Sequence, residues 1–189
     1  MTLISQTLKN DHRELKDAYN KILSATSADE KRRWQNQFTW ELARHSIGEE
    51  LLVYPAFEKR LPDGKQLADK DRTEHQKVKE LLYKFQGLKP NDHEFNPTLQ
   101  ALWSDLSQHI KEEEEQDLVK LENALQQYES ESLTTKFKRT KKFIPTRSHP
   151  TAPDKPPFET VAGLLAAPLD HLSDIFRKFP GESKSELPP

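Results

Sequence analysis

Apolar residues recur along the first 130 or so positions of the chain at alternating steps of three and four. From about 3 to 25, Leu3, Ile4, Leu8, Leu15, Ala18, Tyr19 and Ile22 form one stripe, and His12 falls on it. That period is the signature of an amphipathic helix with one inward face. Ser27 is a good N-cap, with Glu30 three residues on completing a capping box. A second helix is predicted from there to about Leu61. Trp34, Phe38, Leu42, His45, Glu49, Leu52 and Ala56 lie on one side of it, and Pro55 is expected to bend or interrupt it. Leu61-Pro62-Asp63-Gly64 reads as a turn. A third helix is predicted over about 64–88, with Leu67, Thr73, His75, Val78, Leu81, Leu82 and Phe85 facing inward less regularly. A fourth is predicted from the Asn96-Pro97 pair to about 131, with Leu99, Leu102, Leu106, His109, Ile110, Glu113, Val119, Leu121 and Leu125 punctuating it. Four helices with short links predict an all-α, antiparallel up-down-up-down four-helix bundle over residues 1–131.

Beyond 131 the pattern changes. Nine of the thirteen prolines follow residue 140, and Lys136, Lys138, Arg139, Lys141, Lys142 and Arg147 form a basic run without acids, read as a solvated helix end. Pro145 to Pro157 is expected to be extended. An apolar pattern then resumes from Phe158 to Phe179 with a break at Pro168. Residues 132–189 are therefore read as a basic, Pro-rich, partly helical extension that packs on the bundle or on a partner, with a homodimer as one outcome.

Composition narrows the chemistry. Charged residues are 32% and hydrophobic ones 33%, which suits helices with narrow apolar stripes better than a sheet buried on both faces. There is no cysteine, which rules out disulfides, thiolate ligands and a cysteine nucleophile. No basic-then-apolar leader opens the chain, and no apolar run is long enough to span a bilayer. The expectation is a soluble cytoplasmic protein with no membrane role. The extension is net basic and the remainder net acidic, which suits a cation site and argues against nucleic-acid binding by the bundle.

One phrase occurs twice. His45-Ser46-Ile47-Gly48-Glu49-Glu50 and His109-Ile110-Lys111-Glu112-Glu113-Glu114 each set a histidine four residues before a glutamate. On a helix this spacing puts both side chains on one face. Imidazole nitrogen suits iron, copper or zinc, and a carboxylate can bridge two cations. Counted from the turns, Glu49, His75 and His109 reach nearly one depth, whereas His12 and His45 differ by about one and a half helical turns. The pattern points to a metal site inside the bundle.

Asp11-His12-Arg13-Glu14, the two H-x-x-x-E phrases, Glu74-His75 and Glu49-Glu50 with Tyr54-Pro55 resemble the hemerythrin-like, or HHE cation-binding, domain family. The resemblance covers roughly residues 1–130. It implies a bridged centre of two iron ions with His12, His45, Glu49, His75, His109 and Glu113 as ligands. It also implies oxygen, another small diatomic ligand or peroxide as the partner. The chain departs from the oxygen carriers of that family at Lys79, which stands where they have a fifth histidine. It departs again at the second carboxylate, where Glu114 has the carriers' spacing and Glu113 repeats the His45/Glu49 geometry; Glu113 is preferred. One fewer histidine leaves one more open iron position, so a sensor or scavenger is favoured over a tuned carrier. The alternatives are a di-iron oxidase or a peroxide- or nitric-oxide-reducing enzyme, or an iron-regulated interaction module using the extension.

Overall fold

The computed structural model describes residues 2–152 and 158–181, the stretch 158–165 as backbone alone. Among the described residues there are six helices and no strand. Helix α1 is Ile4–Ser24, α2 spans 28–60, α3 is Gly64–Gly87, α4 spans 95–124, α5 is Gln127–Thr140 and α6 is Phe158–Asp174. Helices α1 to α4 form the bundle, with α2 packed on α1 and α3, and α4 packed on α3 and α1.

Two apolar clusters fill this bundle, and the order in which each helix visits them fixes the topology. One cluster holds Leu15, Ile22, Phe38, Leu42, Val78, Phe85, Leu99 and Leu106. The other holds Ile4, Leu8, Val53, Phe57, Leu67, Ala68, Leu118 and Leu121. Along α1 and α3 the second cluster comes first; along α2 and α4 the first does. Adjacent helices therefore run antiparallel, as the short links require. Between the clusters each apolar stripe is broken at one level, at His12, His45 and Glu49, His75, and His109 and Glu113.

Helices α2 and α4 share an irregularity. Ala28–Gly48 passes into a π-helical segment, Glu49–Val53, and continues as Tyr54–Arg60. Phe95–Glu112 passes into a second, Glu113–Asp117, and continues as Leu118–Ala124. The Tyr54 and Leu118 amides donate to the carbonyls of Glu49 and Glu113, five residues back. Such a bulge resets the phase of the helix. A ligand-type carboxylate and the apolar residues after it can then both face inward, as Glu49 with Tyr54 and Phe57 do. Pro55 consequently breaks little. It sits in the first turn after the π segment, where a missing N–H is tolerated.

Other expectations are adjusted. Helix α4 begins at Phe95, so Asn96 and Pro97 lie inside its first turn and do not cap it. It ends at Ala124, not near 131, because Leu125 turns extended and Gln126 with Glu129 forms a capping box that starts α5. Ser130 of α5 and Glu122 of α4 accept the amides of Ile4 and Ser5, supplying the cap that α1 lacks in its own sequence. Gly64 is required by close approach, since a Cβ there would lie 1.9 Å from the Phe57 carbonyl oxygen.

The basic run is not uniformly solvated. Lys141 is buried and its ammonium contacts Asp11 at 2.5 Å, while buried Arg147 donates to Asn36. Pro168 lies within α6 and does not end it. Residues 144–149 lie against α2 and α3, held by Asp170, Gln86 and Asn36. This covering accounts for the burial of Asn36, whose side chain bonds Arg147 and the Lys178 carbonyl, whereas Gln35 is buried against the end of α3, donating to the Phe85 and Leu88 carbonyls. Residues 153–157 and the side chains of Phe158, Val161, Leu164 and Leu165 lie outside the described residues.

Candidate metal centre

All six residues singled out from the sequence, His12, His45, Glu49, His75, His109 and Glu113, converge between the two apolar clusters, none more than 3% exposed. They fall into two groups that share Glu49. His12, His45, Glu49 and Glu113 place ligand atoms within 4.8 Å of one another, as do Glu49, His75 and His109. In the first group His12 and His45 bring their Nε2 atoms to 3.1 Å. His45 Nε2 is 3.1 Å from Glu49 Oε1, and His12 Nε2 is 3.3 Å from Glu113 Oε2. In the second group the Nε2 atoms of His75 and His109 are also 3.1 Å apart, and His75 Nε2 is 3.4 Å from Glu49 Oε2. The depth mismatch left by counting residues from the 25–27 link is absorbed by the placement of α1 along α2, and the two rings meet.

These distances fit cations. Two donors each about 2.1 Å from one ion, at right angles, lie about 3.0 Å apart. The contacts are poor as hydrogen bonds: both oxygens of Glu49 and both of Glu113 are buried without a hydrogen-bond partner. A buried carboxylate left in that condition is costly, and a cation between the imidazoles and carboxylates removes the cost. The donor set, imidazole nitrogen and carboxylate oxygen without sulfur, suits iron, manganese or zinc.

The outer nitrogens make the same case. His12 Nδ1 donates to Glu114 at 2.7 Å, His109 Nδ1 to Glu74 at 2.8 Å, and His45 Nδ1 lies 3.3 Å from Asp11. An ionised carboxylate only accepts, so each Nδ1 carries a hydrogen, which leaves Nε2 as the nitrogen that can give its lone pair to a cation. His75 Nδ1 lies 3.4 Å from Glu50, whose carboxylate is paired with Lys79 at 2.9 Å. Sequence reasoning assigned no role to Asp11 or Glu74, and weighed Glu114 only as the alternative to Glu113 as a ligand. Asp11 and Glu74 each neighbour one inward histidine in sequence but serve another on the next helix. Successive helical residues point about 100° apart, so neither can reach the ring beside it. Asp71, also unassigned from the sequence, is buried beside Glu74 and His109, and burial lifts its carboxyl to about 7.

The electrostatics of the cluster diverge within a few ångströms. Burial opposes a charge on His12, but Glu113 and Glu114 outweigh it and raise its pKa to about 9. Burial lowers His45 to about 4 despite Asp11. Glu49 is pushed well above the usual carboxylate range, by burial first and then by the charge of Glu113. Like groups driven in opposite directions mark a functional site. Tyr54, whose hydroxyl lies 2.9 Å from His75 Nε2, is kept protonated by burial and by the charge of Glu49.

A four-helix bundle that presents paired histidines and a shared glutamate at mid-depth is the architecture of a helical cation-binding domain. The chain belongs to the hemerythrin HHE cation binding domain family, whose pattern it matches over residues 3–121. It is 56% identical over 181 residues to a hemerythrin-like protein of Schizosaccharomyces pombe, covering 95% of this chain and 89% of that one. A hemerythrin HHE cation binding domain-containing protein from Mycobacterium kansasii shares the fold, with a TM-score of 0.64 and 20% identity over 75% of this chain and 88% of that one. A Nostoc protein described as a DNA nickase is 23% identical over 146 residues, 76% of this chain and 40% of the nickase. Among the described residues no helix is long and apolar enough to cross a membrane.

Proposed function

We propose that this chain is a non-haem di-iron protein that binds oxygen or a related small ligand, acting as a sensor or scavenger. His12, His45, Glu49 and Glu113 would hold one iron; His75, His109 and Glu49 would hold the other. The observation that carries the reading is Glu49, whose two buried oxygens face different histidine groups, Oε1 toward His45 and Oε2 toward His75, with no hydrogen bond to either. Bridging carboxylates have this disposition.

Iron, when bound, supplies positions at which an exogenous ligand binds and exchanges electrons. The chain supplies the rest. Glu114, Asp11 and Glu74 orient three imidazoles from outside, which fixes tautomers and raises ligand basicity. The apolar clusters above and below keep water out. The Tyr54 hydroxyl, held as a donor, faces His75 and favours negative charge developing on that side. The two groups are unequal, four residues against three, and the smaller is the one flanked by Tyr54 and the Glu50–Lys79 pair. That inequality supports a ligand position on the His75 side and a reactive centre over a tuned carrier.

The test is metal analysis with optical spectra of protein purified without air, before and after oxygen is admitted. Near two irons per chain with a spectrum that changes on oxygenation is the expected result. A folded chain from iron-supplemented cells that holds none rejects the reading.

A further inference from the structure

The family pattern ends at residue 121, yet the C-terminal extension helps to build a second feature beside the centre. Between α2 and α3 lies a cavity of about 30 Å³, lined mainly by apolar groups. Ala43, Val78 and Leu82 form its walls, and Pro145, Ala152 and Ala166 of the extension roof it. Glu50 and Lys79 line it on the side of the centre. Lys79 Nζ bonds both oxygens of Glu50, at 2.9 and 3.0 Å, and Glu50 Oε1 is 3.4 Å from His75 Nδ1. The Glu50–Lys79 ion pair and the outer edge of the His75 ring therefore stand between the cavity and the centre.

The roof is fastened. Ser148 Oγ donates to the main-chain oxygen of Lys79 at 2.6 Å. The Gln86 side chain brackets the same residue, accepting from Ser148 N at 3.0 Å and donating to Ser148 O at 3.1 Å. Asp170 accepts the amides of Thr146 and Arg147, both at 3.1 Å. The segment is thus anchored on α3 at the residue that forms the floor.

We propose that this roofed cavity is the chamber through which the centre receives its ligand, and that the ligand is an uncharged molecule of two or three heavy atoms. The proposal rests on the reading of the centre as a metal site. Size sets one limit: the cavity is roughly twice what one water needs, too small for an organic substrate. Polarity sets the other: most of the lining is apolar and its charged groups are already paired, Glu50 with Lys79, Arg147 with Asn36 and His149 with Asp170, so an ion gains little in return for its hydration, whereas apolar cavities take up uncharged gases such as xenon. The extension acts as the lid that gives the chamber its size.

Two measurements test this. Xenon, followed by xenon NMR or in pressurised crystals, should occupy the cavity in the wild type whether or not metal is present. Ala43→Leu should exclude it, and so should Ala166→Leu, which fills the space from the roof and spares the bundle should the first variant fold poorly. In the iron-loaded protein, stopped-flow association of nitric oxide should slow about tenfold in the filled variants and quicken in Gln86→Ala, with iron content equal to wild type throughout. Unchanged rates in a filled variant that retains its iron and excludes xenon overturn the chamber and leave the metal centre standing. Absence of xenon from the wild-type cavity overturns it as well. A wild type that holds no iron rejects both readings.

Discussion

Glu49 and Glu113 occupy equivalent places in the two halves of the bundle: each lies four residues after an inward histidine and opens a five-residue π-helical segment. They lie in one buried group with His12 and His45, and neither accepts a hydrogen bond. The first prediction concerns this pair. Glu49→Gln and Glu113→Gln should each lose iron and lower the melting temperature of iron-loaded protein, because metal binding is linked to folding. Glu114→Gln should keep iron, since Glu114 bonds the outer nitrogen of His12 and not the inward one. Metal analysis of the three variants decides it, and iron loss confined to Glu114→Gln would reverse the assignment.

Lys79 stands where the oxygen carriers have a histidine, and its ammonium is bound to Glu50 within the protein. Both side chains are buried, so removing one leaves the other uncompensated. Lys79→Met should destabilise the metal-free protein by about 3–5 kcal/mol. Adding Glu50→Gln should recover most of that loss, a coupling that a double-mutant cycle in denaturant measures. Simple additivity would mean the pair contributes nothing. The same contact alters the expectation for ligand binding. Glu50 is held at the edge of the centre by Lys79, so Lys79→His should change both the charge of Glu50's surroundings and the nitrogen count, and autoxidation of iron-loaded protein should slow.

Gly48, inside the first H-x-x-x-E phrase, has a reason unconnected with metal. A Cβ there would come within 2.7 Å of the Phe137 ring, which packs edge-on to His45. Gly48→Ala should cost about 1–3 kcal/mol by overpacking, and Phe137→Ala about 3–5 kcal/mol by cavity formation. Chemical denaturation measures both. If Gly48→Ala is neutral, the ring moves aside freely and α5 contributes less to shielding His45 than its burial indicates.

The extension should loosen as pH rises. Asp170 accepts from His149 at 3.0 Å, and that bond raises the His149 pKa above its usual 6.5. A raised pKa means stabilisation fully present below the unfolded value and lost as pH climbs through the folded one. Protection of the Thr146 and Arg147 amides, which share Asp170, should therefore fall as pH rises above about 6.5 and through the raised His149 pKa. Hydrogen exchange in wild type and His149→Gln tests this after correction for intrinsic rates. A fall of the same size in both proteins would place the cause elsewhere.

The sequence by itself determined the all-helical class, and it singled out the six residues that the structure brings together. The class and four of the six follow from local rules: a three–four apolar period makes one face, and a histidine four residues before a glutamate puts both on that face; His12 and His75 entered through the family resemblance. Chain counting also set Glu49, His75 and His109 at one level, because helical rise is constant. The tertiary structure alone decided which oxygen of Glu49 faces which histidines, that Glu113 turns inward while Glu114 holds His12 from outside, and that Asp11 and Glu74 serve rings on neighbouring helices. It alone showed the π-helical segments, since no residue type marks where a ladder shifts from four to five. It alone placed Lys141 against Asp11 and laid residues 144–149 over α2, where Arg147 covers Asn36. These are relations between segments far apart in the chain. A helix carries its periodicity in its own sequence, but the partner that covers its outer face does not.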